Sequence, residues 1–177
     1  MKLDRDRTAL VVIDVQEAFR AAIPGFAELA AATATLVRGA VAIGVPIVVS
    51  EQYPKGLGET VPEIASHLPE NVEPIDKVCF SAAEAEGFDL AGRGQALVCG
   101  IETHVCVNQT VLDLLDRGVE VHVATDAVGS RSAENRELGL KKAESGGAIL
   151  TSVEMALFEL LRGSDAPEFK QVQELVK

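Results

Sequence analysis

A cysteine lies at the start of a predicted helix, just after an apolar run typical of a buried strand. The strand is predicted over residues 95–100 and the helix over residues 103–117, with Thr103 as the N-cap and Cys106 in the first turn. At this position, unpaired backbone N–H groups and the helix dipole favour thiolate over thiol, so Cys106 is a candidate nucleophile. The alternative is a small buried cysteine on the core face of the helix, because free cysteines are among the residues most often buried.

Two other predicted strands end in residues with acid–base chemistry. An apolar strand over residues 8–14 stops at Asp14, and a shorter extended run over residues 72–77 stops at Lys77. In an open parallel sheet the carboxyl ends of the strands converge on one crevice, so the acid, the lysine and the Cys106 thiol are expected to meet there. Taken separately, Asp14 is also typical of a turn or a helix cap, and Lys77 of a solvated strand end.

A regular alternation of strands and helices positions these residues. Strands are predicted over residues 8–14, 46–50, 72–77, 95–100, 120–125 and 148–152, and helices over residues 26–43, 103–117, 133–145, 153–161 and 167–177. This βαβ rhythm predicts an α/β protein with three layers, α/β/α, around a six-stranded, mostly parallel, Rossmann-like sheet. All 177 residues, 1–177, are predicted to form one domain.

Three motifs in order carry a resemblance to a known family. They are residues 12–16 with Phe19, Lys77 with the following Phe80 and Ser81, and residues 100–107 around the cysteine. The chain resembles the isochorismatase-like cysteine hydrolases, which include isochorismatases and nicotinamidases, over nearly its whole length. It is most similar to the isochorismatase domain-containing subgroup, because residues 50–58, 130–132 and 167–177 match as well.

The resemblance implies a role for each of the three strand-end residues. Asp14 would be the general base and proton shuttle, Lys77 would orient the acid and stabilise charge, and Cys106 would attack the substrate. A cis peptide between Ile101 and Glu102 is also implied, with the backbone N–H groups of Glu102 and Cys106 as an oxyanion hole. Elementary chemistry supports the nucleophile independently, since a base, a cation and a helix N-terminus each activate a thiol.

Aromatic residues and one loop are candidate substrate contacts. Phe19 and Phe80 are predicted to line the pocket, although aromatic residues in such positions are often core residues. The loop over residues 52–60 follows a strand end that faces the crevice and has two glycines and the only tyrosine. Gln52 and Tyr53 are therefore predicted to bind substrate, and the loop to close over it. A plain surface connection is the alternative.

Arg131 is a further candidate, for binding a substrate carboxylate. It follows the fifth predicted strand, in a stretch where the family commonly has substrate or subunit contacts. The neighbouring Ser132 has an equally good structural explanation as a helix N-cap.

A metal site is not expected. Nicotinamidases of this family carry an Asp-x-His arrangement that binds a metal together with a further histidine, whereas residues 50–53 here read Ser-Glu-Gln-Tyr. The three histidines, His67, His104 and His122, are widely spaced and have no H-x-x-x-H or C-x-x-C partner. Neither a G-x-G-x-x-G nor a Walker spacing opens a helix, so no cofactor is predicted.

Composition limits the classes of partner. A formal charge of −11 argues against nucleic acid and weakly favours a neutral or zwitterionic small-molecule substrate. No apolar run approaches the roughly 20 residues that span a bilayer, so no membrane is expected. Three cysteines without framework spacing, and a first segment unlike a signal peptide, predict a cytoplasmic protein. By family analogy a homo-oligomer is expected, with the last two helices as the interface.

The leading functional prediction is a metal-independent cysteine hydrolase that cleaves a C–N bond of a small amide through a thioester on Cys106. Two alternatives stay open. One is an isochorismatase-type vinyl-ether hydrolase, whose chemistry depends on the acid and need not use the thiol. The other is a non-catalytic ligand-binding or scaffold protein that has kept the pocket.

Overall fold

Six parallel strands form one sheet. The computed structural model describes residues 1–177, and its strands are β1 (Thr8–Ile13), β2 (Ile47–Gln52), β3 (Ile75–Lys77), β4 (Gln95–Ile101), β5 (Glu120–Gly129) and β6 (Ile149–Thr151). They lie in the order β3-β2-β1-β4-β5-β6, and every neighbouring pair is parallel. The predicted α/β fold with a six-stranded sheet is confirmed, and the sheet is parallel throughout.

Seven α-helices connect and cover the strands. They are α1 (Phe26–Ile43), α2 (Pro54–Leu57), α3 (Pro62–Ala65), α4 (Asn108–Asp116), α5 (Ala133–Ser145), α6 (Val153–Leu161) and α7 (Phe169–Leu175). A π-helical turn at Thr103–Val107, which we name the Cys106 turn, precedes α4. The predicted bounds of α1, α5 and α6 are confirmed, and Ser132 caps α5 by accepting the N–H of Asn135.

Three predicted elements differ in extent by more than two residues at one end, and the others agree within two residues. β3 begins at Ile75 rather than at residue 72, because Pro74 has no N–H to donate to a strand ladder. β5 continues to Gly129, since it pairs with β4 again after a register shift. The helix predicted over residues 103–117 is instead the Cys106 turn followed by the shorter α4.

Both faces of the sheet are buried, which explains the long apolar runs of its strands. Successive residues of a strand point to opposite faces. In β1, Leu10 and Val12 therefore enter a core with α1, α6 and α7, whereas Val11 and Ile13 enter a second core with α4 and α5. Since neither face meets water, every residue of β1 is buried and the strand shows no polar alternation.

Helix α1 is the longest helix of the chain. Its 18 residues have a mean hydropathy of 1.5, so by length and composition alone the helix could cross a membrane. No such segment was expected from the sequence. Ten of those residues are buried in the structure, where α1 packs between the sheet and α6. That burial is the pattern of a core helix.

The strand order reverses between β1 and β4, and the carboxyl ends of these strands border a crevice. Gly100 in β4, with a φ of +117°, permits the close approach of the two strands, because a Cβ there would collide with the carbonyl oxygen of Ile13. Asp14, directly after β1, has a φ of 54°, which is uncommon for a residue other than glycine. Such strained backbone positions cluster at functional sites.

Candidate active site

A buried ion pair lies at the switch point. The Lys77 Nζ is 2.7 Å from the Asp14 Oδ2, and the two side chains are 0% and 1% exposed. Ser50 supports the acid on its other side, because its hydroxyl donates to the Asp14 Oδ1 at 2.7 Å. Its carbonyl also accepts the Asp14 N–H at 3.0 Å. The carboxylate is therefore held rigidly at the end of β1.

Four oxygen atoms surround the Lys77 ammonium. Besides Asp14, it donates to the side-chain oxygen of Gln52 at 2.6 Å and to the carbonyls of Cys79 and Phe80 at 3.2 and 3.0 Å. An ammonium donates hydrogen bonds and accepts none, and all four of these contacts are to acceptor oxygens. Lys77 is therefore arranged to supply positive charge to its neighbours and not to act as a base.

Gln52 joins this pair to the thiol. Its amide nitrogen donates to the Val78 carbonyl at 3.1 Å, which turns the amide oxygen toward Lys77 and toward the Cys106 Sγ, 3.9 Å away. Cys106 itself is only 6% exposed. The structure thus brings together the three residues predicted from strand ends and adds Gln52 as the group that bridges two of them.

The Cys106 turn differs from the predicted helix start. The prediction that Thr103 is an N-cap is wrong, because its hydroxyl is buried without a hydrogen-bond partner and no side chain caps this turn. Instead, the extended Glu102 precedes a π-helical turn in which its carbonyl accepts the N–H groups of Val105 and Val107. The intervening Cys106 N–H does not bond to that carbonyl. The peptide bond from Ile101 to Glu102 is cis, as the resemblance implied.

The resting thiol is neutral. Burial first, and then the negative charge of Asp14, raise the pKa of Cys106 from 9.0 to about 12. Lys77 lowers it, but Lys77 and Asp14 form an ion pair and together bring little net charge to the sulfur. The prediction of a resting thiolate is therefore wrong, because the burial that places Cys106 beside the acid also removes the water that would solvate an anion.

We expect alkylation of Cys106 by iodoacetamide to accelerate about tenfold per pH unit from roughly pH 7 to pH 10. Only the thiolate reacts, and its fraction rises tenfold per unit below a pKa of about 12. Peptide mapping by mass spectrometry follows Cys106 separately from Cys79 and Cys99. A rate that levels off near neutral pH would contradict the raised pKa.

Exposed apolar side chains lie on the segments that follow β2 and β3. Tyr53 and Val78 line a cavity of about 300 Å³ beside β3; Lys77 is among its lining residues, whereas Asp14, Gln52 and Cys106 are not. The side chains of Tyr53, Val78 and Phe80 are more than half exposed. Phe19 lies elsewhere, half-buried against the core of the α1 face, which favours its alternative as a core residue. Tyr53 and Phe80 remain positioned as candidate substrate contacts.

The loop that carries Tyr53 is tied down at both ends. Gln16 is fully buried and donates to the carbonyls of Gln52 and Gly58 at 3.0 and 2.6 Å, while its oxygen accepts the Gln52 N–H. The carboxylate of Glu51 accepts both the N–H and the hydroxyl of Thr60. These bonds indicate a fixed wall rather than a closing lid. Gln16 was missed as a site residue; its place in the motif of residues 12–16 was the available signal.

Arg131 is already paired in the structure. The buried carboxylate of Glu102 accepts its backbone N–H at 2.9 Å and its side-chain Nε at 3.1 Å. A guanidinium held in this way is less available to a substrate carboxylate than the sequence suggested.

The histidines make local contacts. His104 Nδ1 lies 3.1 Å from the Ser130 hydroxyl, and the buried His122 Nε2 lies 3.0 Å from the Glu120 carboxylate. No three His, Cys, Asp or Glu side chains are grouped to hold a metal ion. The expectation of metal-independent chemistry stays a prediction.

Gly139 of α5 packs directly on the Cys106 turn, so we expect Gly139→Ala to lower both stability and activity. A Cβ there would lie 2.8 Å from the Thr103 carbonyl oxygen and 2.9 Å from the His104 Cα. The backbone must shift to admit it, at a cost of about 1–3 kcal/mol. Urea unfolding followed by circular dichroism measures this cost. Gly94→Ala is the matched control, since the atom nearest to a Cβ at that position is 3.7 Å away. Equal effects of the two substitutions would contradict a specific role for the close packing of Gly139 on the Cys106 turn.

Comparison with known proteins agrees with this geometry. The sequence matches the family model for the isochorismatase domain over residues 8–155. Isochorismatase domain-containing protein 2A of Mus musculus is 39% identical over 175 residues, which cover 97% of this chain and 84% of the relative. The secreted isochorismatase effector Isc1 of Phytophthora sojae (strain P6497) is 42% identical over 177 residues, covering 96% and 84%.

The fold is also shared with a solved structure. MAR1 ribonuclease from Caenorhabditis elegans superposes with a TM-score of 0.94 at 41% identity, over 99% of this chain and 92% of that chain. Sequence, fold and strand-end geometry agree, and the chain belongs to the isochorismatase family and has its hydrolase fold.

Proposed function

We propose that the protein is a metal-independent cysteine hydrolase that cleaves the C–N bond of a small amide through a thioester on Cys106. The observation that carries this proposal is the buried Asp14–Lys77 ion pair beside a buried thiol. A nucleophile, a base and a group that orients the base are the parts that covalent catalysis of acyl transfer requires. No other cluster of the chain offers them together.

Acylation begins from the thiol. As the sulfur attacks the carbonyl carbon, its proton passes to Asp14, and the electron pair of the C=O bond moves onto oxygen. Because the proton leaves while the S–C bond forms, charge develops on that oxygen and a free thiolate with a pKa of about 12 need not accumulate. The N–H groups of Glu102 and Cys106 are the proposed donors to the oxyanion. Collapse expels the amine, which takes the proton from Asp14.

Deacylation uses the same groups. Asp14, again a carboxylate beside Lys77, removes a proton from water as the water oxygen attacks the thioester carbon. The S–C bond then breaks, the thiol regains its proton from Asp14, and the carboxylic acid leaves. Lys77 keeps Asp14 in the orientation that serves both steps, because four acceptors hold its ammonium in place.

The charges around the site favour an uncharged substrate. Lys77 is neutralised by Asp14 and Arg131 is engaged by Glu102. The chain as a whole carries a formal charge of −11, which repels anions at long range. These charges support a neutral amide over a dicarboxylate.

Ammonia release across a panel of small amides, ureas and carbamoyl compounds tests the proposal. Wild type is measured beside Cys106→Ala, whose fold is checked by circular dichroism. Release that disappears in the variant is the expected result. If no compound of the panel releases ammonia, or if both proteins release it equally, C–N hydrolysis by Cys106 is rejected. Vinyl-ether hydrolysis or a binding role is then favoured.

RNA cleavage is a second candidate, because the structure that is 41% identical to this chain is that of a protein described as a ribonuclease. The formal charge of −11 argues against it, since phosphate binding needs a basic face. Incubation of the protein with single-stranded RNA, analysed by gel electrophoresis, decides between the candidates. Cleavage that disappears in Asp14→Asn would favour this second function.

A further inference from the structure

Two side-chain contacts tie the loop after β5 to the Cys106 turn. Arg131 binds the Glu102 carboxylate through its backbone N–H and its Nε, and the Ser130 hydroxyl lies 3.1 Å from the His104 Nδ1. These partners are 26 to 29 residues apart in sequence. The segment that carries Cys106 is thus anchored from a separate strand.

Glu102 is the central residue of this anchor. Its side chain is 7% exposed, and a buried carboxylate is costly unless charged or N–H donors compensate it. Arg131 supplies both of the hydrogen-bond donors found on that carboxylate. The carbonyl of Glu102, meanwhile, accepts the N–H groups of Val105 and Val107 and so sets the shape of the turn. A change in the side-chain anchor is therefore transmitted to the backbone on both sides of Glu102.

Arg131 has the exposure expected of an anchor at the surface. Its side chain is 64% exposed, and only the Nε edge of the guanidinium contacts protein. Because solvent reaches most of the guanidinium, the ion pair is weakened and contributes little to global stability. Its backbone N–H contact with Glu102 would survive a change of side chain, so the side chain can be tested without removing the whole anchor.

We propose that Arg131 is a positioning residue that holds Glu102, and through it the N–H groups of Glu102 and Cys106, in place for a developing oxyanion. This inference rests on the proposed cysteine hydrolase function. The prediction that Arg131 receives a substrate carboxylate stays a prediction beside it. Because a displacement of about 1 Å in an active site can cost on the order of 100-fold in rate, loss of the Nε contact is expected to lower the chemical step more than substrate binding.

A reversible aldehyde tests this role without a known substrate. Propanal adds to the Cys106 thiol: the S–C bond forms, the C=O electron pair moves to oxygen, and the thiol proton ends on that oxygen, giving a thiohemiacetal with no change in oxidation state. The adduct oxygen would accept hydrogen bonds from the proposed oxyanion donors, which stabilise the adduct, whereas alkylation by iodoacetamide needs only the sulfur. Protection of Cys106 by propanal against iodoacetamide, read by mass spectrometry, therefore reports on the donors alone.

Arg131→Ala is expected to weaken propanal protection about tenfold or more, while alkylation without propanal stays within twofold of wild type, about the scatter expected for such rates. Arg131→Lys is expected to be weakened as well, because lysine keeps the charge but lacks the Nε fork. Arg162→Ala is the matched control, since it removes a similarly exposed ion pair to Asp4 before β1, at the opposite end of the sheet. It should behave as wild type.

The outcomes separate the two proposals. Wild type that propanal fails to protect would reject the hydrolase mechanism itself. Wild type that is protected, with Arg131→Ala protected equally, would leave that mechanism standing and overturn the role of Arg131. A parallel change in unprotected alkylation would show general disorder of the turn and would also overturn it. With an active substrate, a lower kcat at unchanged KM supports positioning, whereas a higher KM at unchanged kcat identifies a substrate contact.

Discussion

Asp14→Asn is expected to abolish turnover and to destabilise the fold. The variant cannot take a proton from the thiol, and loss of a general base typically costs 10²–10⁴-fold in rate, so we expect a decrease of about 10³-fold in kcat. It also leaves the Lys77 ammonium buried without its counter-ion. Breaking a buried pair in this way costs about 3–5 kcal/mol, which urea unfolding followed by circular dichroism measures.

A double variant separates the two consequences. Asp14→Asn combined with Lys77→Met removes both charges, and an apolar side chain of similar length then fills the space of the lysine. We expect stability to return toward wild type, because replacing both partners of a buried pair is often neutral, while activity stays lost. Recovery of activity in the double variant, or no loss of stability in the single one, would contradict the role assigned to the pair.

Cys106→Ala is expected to remove amide hydrolysis almost completely while the protein stays folded. Without the sulfur no thioester forms, and loss of a nucleophile in comparable triads lowers kcat by about 10⁴-fold or more. Removing one buried sulfur atom leaves only a small cavity, so the free energy of unfolding should fall by no more than about 1–2 kcal/mol. Steady-state ammonia release and urea unfolding check both parts.

Cys99→Ala is the matched control, because Cys99 is also buried but lies inside β4, where its thiol contacts the Val11 carbonyl. It should keep full activity. Comparison with Asp14→Asn then distinguishes the chemistry. An amide hydrolase loses activity in both the Asp14 and the Cys106 variants, whereas a vinyl-ether hydrolase that depends on the acid would lose it only in the Asp14 variant.

The strand-end residues show which features of the site a local sequence pattern can predict. Asp14 directly follows a long apolar run and Cys106 lies in the turn after another, and a run buried on both faces is easily recognised. Lys77 follows a strand of only three residues, so its position depended on the family resemblance as much as on pattern. The helices α1, α5 and α6 were bounded correctly by their periodicity and their flanking glycine and serine residues.

Contacts between distant segments were not available in the sequence. Gln52 joins Lys77 to Cys106, Gln16 ties down the Tyr53 loop, and Glu102 engages Arg131, and each of these depends on residues about 25 to 54 positions apart. Nothing in the local pattern distinguishes such a buried amide or carboxylate from a solvated one. For that reason the contact between Arg131 and Glu102 and the role of Gln16 were missed.

The protonation state of Cys106 likewise depends on the tertiary structure, whereas the position of Cys106 could be predicted from the sequence. By itself the sequence determined the α/β fold, the strand ends and the three residues that meet there, since apolar runs dictate which strands are buried and strand polarity dictates where they end. Only the tertiary structure decided that Cys106 is a thiol with a pKa of about 12, that Asp14 and Lys77 neutralise each other, and that Glu102 is anchored from β5. Desolvation and charge pairing depend on what surrounds a group in space, and that is set by packing rather than by neighbours along the chain.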